Sequence, residues 1–188
     1  MPAGRGDPSL PRARLGRLFR RLADTLGGAR ASDTDRAWVA SLLEPAELAL
    51  WSRLSDHDQH HAIQVARSVE RRLAETPYAG DGRWLGVALL HDVGKREAGL
   101  GTLERALGTL IGKVTSVSTA RRWAAEGGAK RRLGLYLTHG AAGAAAIRAA
   151  GGREEIAAWA EVHQALPCPA LALLPGPVIK ALSDADLE

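Results

Sequence analysis

Apolar residues recur every three to four positions along most of this chain, and that period predicts helices. Leu15, Leu18, Phe19, Leu22 and Leu26 form one such stripe, with Arg14, Arg17, Arg20 and Arg21 between them, before Gly27-Gly28 breaks the pattern. Asp33 or Thr34 is placed to cap a helix carrying Trp38, Leu42 and Leu43. Pro45 suits the first turn of the next, with Leu48, Trp51 and Leu54 on one face. Ser55, followed three residues later by Asp58, opens a long helix through about Leu73. Another begins near 81–83 and carries Trp84 and Val87-Ala88-Leu89-Leu90 towards Gly94. Further helices are expected at about 101–112, 116–126, 130–139, 141–150, 153–165 and 176–187, separated by Gly pairs and prolines. The Ala-rich segments around 141–150 and 157–160 predict close helix–helix packing. No β-alternation, hairpin signal or internal repeat interrupts this. The fold class expected is all-α, a helical bundle.

A length of 188 residues suits one domain with an appendage, and 46% apolar with 24% charged residues is a globular balance. The expected division is a basic extension over 1–30, its first 13 residues too rich in Pro and Gly to pack, and a helical domain over 31–188. The extension holds seven Arg against two Asp; the remainder carries 18 basic and 19 acidic residues. The alkaline balance therefore belongs to the extension, and stable nucleic-acid binding by the domain is not expected. A basic amphipathic helix over 14–26 suits either peripheral contact with an anionic membrane, a partner's groove, or docking on its own domain. No apolar run reaches the ~20 residues that span a bilayer, and no secretory h-region is recognisable. The single cysteine, Cys168, excludes an intramolecular disulfide and fits a reducing, cytoplasmic location; between two prolines it reads as structural.

Candidate chemistry centres on the six histidines, 57, 60, 61, 91, 139 and 163. His91-Asp92 ends the apolar run from Val87, so an imidazole and a carboxylate are buried side by side and need partners to offset desolvation. A divalent cation satisfies both, since it favours neutral imidazole and ionised carboxylate. Gly94 would let the chain turn sharply and leave Lys95 beside whatever binds there. His57 shares a helical face with His61 and is either an extra contact or a solvent-facing first-turn residue; His60 lies round the helix and is a poor ligand. The five tryptophans, dispersed among Ala and Leu, read as packing residues.

Ala88-Leu-Leu-His91-Asp92-Val-Gly-Lys95 resembles the signature of the HD superfamily of metal-dependent phosphohydrolases. His61, in His61-Ala-Ile-Gln-Val65-Ala66, is similar to that family's first histidine, and Ala185-Asp186 to its closing aspartate, favoured over Asp184. His139 and His163 match the branch with two metals, and the resemblance spans about residues 50–188. It implies an HD-type helical bundle and a metal held by His61, His91, Asp92 and Asp186. It further implies a second ion held by His139 and His163, with Asp92 bridging. The implied cofactor is one or two divalent ions (Fe, Mn, Zn, Ni, Co or Mg), which lower the pKa of water from about 15.7 towards neutrality. Asp92 and Lys95 are the expected catalytic residues, with Lys95 neutralising phosphoryl charge or orienting the attacking water. The expected substrate is a small nucleotide-like phosphomonoester or phosphodiester. Residues 113–132 carry six basic side chains against Glu126; Lys95 with Arg121, Arg122 and Arg131 are candidates for its phosphates, or the arginines form a solvated helix face. The alternative function is a module of the same family that binds a nucleotide or a partner protein without turnover. It is motivated by Gly-Ala-Ala-Gly after His139 and Gln164 after His163.

Overall fold

A computed structural model of the protein describes residues 30–100, 108, 111–112, 115–164 and 172–187. The expected extension over 1–30, with its helix at 14–26, most of the expected helix at 101–112, and Cys168 lie outside the described residues, apart from Arg30. Among the described residues the chain is all-helical, without strands, and no helix is long and apolar enough to cross a membrane.

Helix α1 (Asp33–Ala40) is capped by Ser32, not by Asp33 or Thr34. Ser32 alone there combines extended backbone with a hydroxyl that accepts the Asp35 amide at 3.1 Å, and Asp35 returns the bond. Helix α2 (Pro45–Trp51) starts on its proline. Helix α3 (Asp56–Leu73) starts where Ser55 accepts the Asp58 amide, as the spacing predicts. Helix α4 (Gly82–Leu90) is capped by Asp81 and is buried from Trp84 onward, which makes it the central helix. It stops at Leu90, short of the expected Gly94, and the chain passes through His91-Asp92 into a 3-10 helix, Val93–Ala98.

The chain continues as α5 (Val117–Ala124), α6 (Gly128–Leu137), α7 (His139–Ala149), α8 (Glu154–Val162) and α9 (Gly176–Asp186). The expected helices at 130–139 and 141–150 thus meet two residues earlier than the sequence suggested. Thr138 departs from helical dihedrals and bonds its hydroxyl back to the Gly134 carbonyl at 2.8 Å, which leaves His139 to open α7.

Packing around α4 positions the site. α3 lies against α4 and α9, α8 against α4 and α7, and the 3-10 helix against α6 and α7. Gly94 lies within the 3-10 helix and its φ is not left-handed, so the change of direction after α4 does not require a glycine there. Its function is close approach: a Cβ there would lie 2.0 Å from the His139 carbonyl oxygen and 2.6 Å from the Gly143 nitrogen. Gly140 does the same between α7 and α8, where a Cβ would lie 2.7 Å from the Ala160 carbonyl. The small residues after His139 are thus the contact surface of α7, in line with the close packing expected of its alanines.

Trp51, Trp84 and Trp159 are core residues, while Trp38 is half-buried beneath the Arg67 guanidinium at 3.5 Å. One buried ion pair ties the first helices to α8. Glu47, fully buried, accepts from Arg153 Nε at 2.9 Å, Nη2 at 2.7 Å and the Arg153 amide at 3.0 Å. Burial works against the Glu47 charge, but these bonds outweigh it and hold the carboxyl below its ordinary range.

Candidate metal centre

Six side chains from four helices and one junction converge beneath the end of α4. His61 projects from α3 and Asp186 is the last residue of α9. His91 and Asp92 lie between α4 and the 3-10 helix, His139 begins α7, and His163 follows α8. His91 and His163 cap the C-termini of α4 and α8, and His139 stands one residue beyond the α6 cap. The negative ends of α4 and α8 therefore border the cluster, a field that favours a cation, while at His139 the end of α6 meets the positive start of α7.

The two oxygens of Asp92 face different partners. Oδ2 lies 3.3 Å from His91 Nε2 and 3.9 Å from His61 Nε2. Asp186 Oδ1 closes that half at 3.4 Å from His91 Nε2 and 3.6 Å from His61 Nε2. Oδ1 of Asp92 instead lies 2.9 Å from His139 Nε2 and 3.5 Å from His163 Nε2. His61, His91 and Asp92 form one group of donor atoms close enough to share an ion, and Asp92, His139 and His163 form a second. Lys95 Nζ contacts Asp92 Oδ2.

Three imidazoles are oriented by backbone. His91 Nδ1–H donates to the Ala88 carbonyl at 2.7 Å, His139 Nδ1–H to Tyr136 at 2.6 Å, and His163 Nδ1–H to Ala160 at 2.8 Å. Each carbonyl lies three residues upstream, in the last turn of a helix, so an exposed helix end is satisfied while Nε2 is aimed inward. Sequence reasoning missed these carbonyls; a histidine just beyond an apolar helix is the signal that points to them.

At His91, Asp92, Asp186 and Lys95 burial opposes the charge, yet the opposite charges prevail. It works against an imidazolium at His91, but Asp92 and Asp186 outweigh it and push the group up to about 10. It also works against the Asp92 carboxylate, which His91 and Lys95 nonetheless hold well below the ordinary range. Asp186 is held well below too, chiefly through His91, and Lys95 is raised, chiefly by Asp92. His139, by contrast, yields to burial and is shifted down.

These features fit a metal. His91 Nε2 is buried and makes no well-aligned hydrogen bond, although carboxylate oxygens of Asp92 and Asp186 lie 3.3 and 3.4 Å away. With the Nδ1 protons of His91, His139 and His163 committed to carbonyls, their inward nitrogens are either lone pairs facing carboxylates or cations crowded together. A divalent ion in each half relieves both, drawing on four imidazole nitrogens and two carboxylates.

The expected ligands His61, His91, Asp92, His139, His163 and Asp186 are thus all brought together, with Lys95 in contact. Asp184, two residues from Asp186, pairs instead with Lys180 at 2.6 Å and Arg72 at 3.5 Å. His60 bonds to Gln64 at 2.9 Å, and His57 is half-buried on the first turn of α3 where a solvent-facing residue was the alternative; neither belongs to the two groups. Arg121 and Arg122 on α5 and Arg131 on α6 are exposed, and none forms an ion pair with the carboxylates of the cluster. Comparison with family models, curated proteins and solved structures returns no match to this chain.

Proposed function

We propose that this protein is a metal-dependent phosphohydrolase that cleaves a phosphoester of a small nucleotide-like substrate. The observation that carries the reading is the divided carboxylate of Asp92, one oxygen towards His61 and His91, which Asp186 also faces, the other towards His139 and His163. His61, His91, Asp92 and Asp186 would hold one ion, and Asp92, His139 and His163 a second. The imidazole-rich donor set suits Fe, Mn, Zn, Ni or Co and suits Mg least. A bound cation supplies Lewis-acid polarisation of a phosphoryl oxygen and lowers the pKa of the attacking water.

The chain's own residues do the rest. The Ala88, Tyr136 and Ala160 carbonyls fix three rings so that no reorientation is needed when substrate arrives. His91, Asp92, His139 and His163 are buried, whereas His61 and Asp186 are 25% and 31% exposed, so substrate meets the cluster across these two side chains. Lys95, 19% exposed beside them, offers an ammonium to the charge that grows on the phosphoryl oxygens. The exposed Arg121, Arg122 and Arg131 would attract the anion during approach.

The test is a panel of nucleoside mono-, di- and triphosphates and dinucleotides, incubated with the metal-loaded protein. Turnover of at least one member is expected, with activity below detection in Asp92→Asn while the far-UV spectrum stays helical. Tight binding of a panel member with no product under any of the metals would replace this reading with the module that binds without turnover.

A further inference from the structure

The ammonium of Lys95 and a metal ion make the same demand on the same atom. Lys95 Nζ contacts Asp92 Oδ2, the oxygen that faces His91 at 3.3 Å and His61 at 3.9 Å, whereas Oδ1 faces His139 and His163. Two cations on one buried oxygen repel strongly at low local dielectric. The stem of Lys95 is long, and the side chain is 19% exposed where Asp92 is 4%, so the ammonium can leave towards the opening while the carboxylate stays fixed. We infer that Lys95 is a built-in competitor for the His61–His91–Asp92–Asp186 half of the centre, lowering its affinity for a divalent ion while leaving the His139–His163 half much less affected.

The inference rests on the metal reading above and adds an asymmetry to it. One half is buried behind two oriented imidazoles; the other is open and contested by a lysine. The contested half exchanges its ion readily, and its occupation turns the Lys95 ammonium towards the space where an anion enters. Lys95 thereby acts as a positioning residue through Asp92, in addition to any direct contact with substrate.

Zinc titration of the full-length protein against a chromophoric chelator tests this, with His163→Ala isolating the open half and His61→Ala the buried half. In the His163→Ala background, Lys95→Met should bind Zn²⁺ about tenfold or more tightly, the scale of losing one close like-charge contact. In the His61→Ala background the same substitution should change affinity far less. Lys95→Arg, which keeps the charge, should gain little, and Lys95→Gln, which keeps a donor for Asp92, should follow Lys95→Met and serves if the latter does not fold. Equal or weaker zinc binding by both neutral variants, or an equal gain by Lys95→Arg, would overturn the competition. Absence of zinc binding by the unsubstituted protein would overturn the metal reading itself.

Discussion

At the scale of single residues, the centre depends on atoms that are absent as much as on those present. Gly94 lets the 3-10 helix approach α7 until a Cβ would lie 2.0 Å from the His139 carbonyl, and that approach carries His139 Nε2 to 2.9 Å from Asp92. Gly94→Ala adds a methyl group where only backbone can give way. It should cost about 1–3 kcal/mol or more, as overpacking does. Denaturant unfolding checks the cost. Metal stoichiometry of the same variant should fall first at the His139–His163 half, because that half depends on the contact. Full stoichiometry with unchanged stability would show that the backbone relaxes freely there.

At the scale of elements, most boundaries follow from local chemistry that the sequence displays. Ser55, Pro45 and Asp81 begin α3, α2 and α4 where their cap or first-turn preferences place them. Legibility fails where a tertiary partner decides. The sequence suggested that Gly94 turns the chain, because a glycine's need for space is invisible until its neighbour is known. Glu47 is equally unreadable as a buried charge: in a first helical turn it looks like an ordinary capping residue, and its partner Arg153 is remote in sequence. That pair joins α2 to the start of α8, and Glu47→Ala should cost about 3–5 kcal/mol, since it leaves buried donors unmatched. The pH dependence has a definite sign. Folding holds the Glu47 carboxyl below its ordinary value of 4.5, so its contribution is complete above that value and is lost as pH falls through the folded value. As pH is lowered from 7 to well below 4.5 the wild type should therefore lose more stability than Glu47→Gln, measured by denaturant midpoints. Parallel losses would remove this clamp from the acid response.

At the scale of the whole molecule, the bundle gathers residues separated by up to 125 positions, His61 to Asp186, around the terminus of its central helix. His91-Asp92 was legible because burying an imidazole and a carboxylate beside an apolar run demands compensation, whereas His61, His139, His163 and Asp186 were legible only through the resemblance of their order to a known signature. Their convergence, the division of the Asp92 oxygens and the seat of Lys95 were not legible, since each depends on how α3 and α8 dock on α4 and how α9 and α7 dock on them in turn. Arg121, Arg122 and Arg131 mark the opposite limit: a run of charge is visible in sequence, but exposure alone gives it no fixed target. Everything proposed for the molecule requires that the six ligands bind a cation. Elemental analysis of protein purified without added metal or chelator tests this most directly. Between one and two transition-metal ions per chain in the wild type, and essentially none in Asp92→Asn, is the predicted result. A wild type that stays metal-free after dialysis against each of Fe, Mn, Zn, Ni and Co, or an Asp92→Asn that retains its full complement, would contradict it.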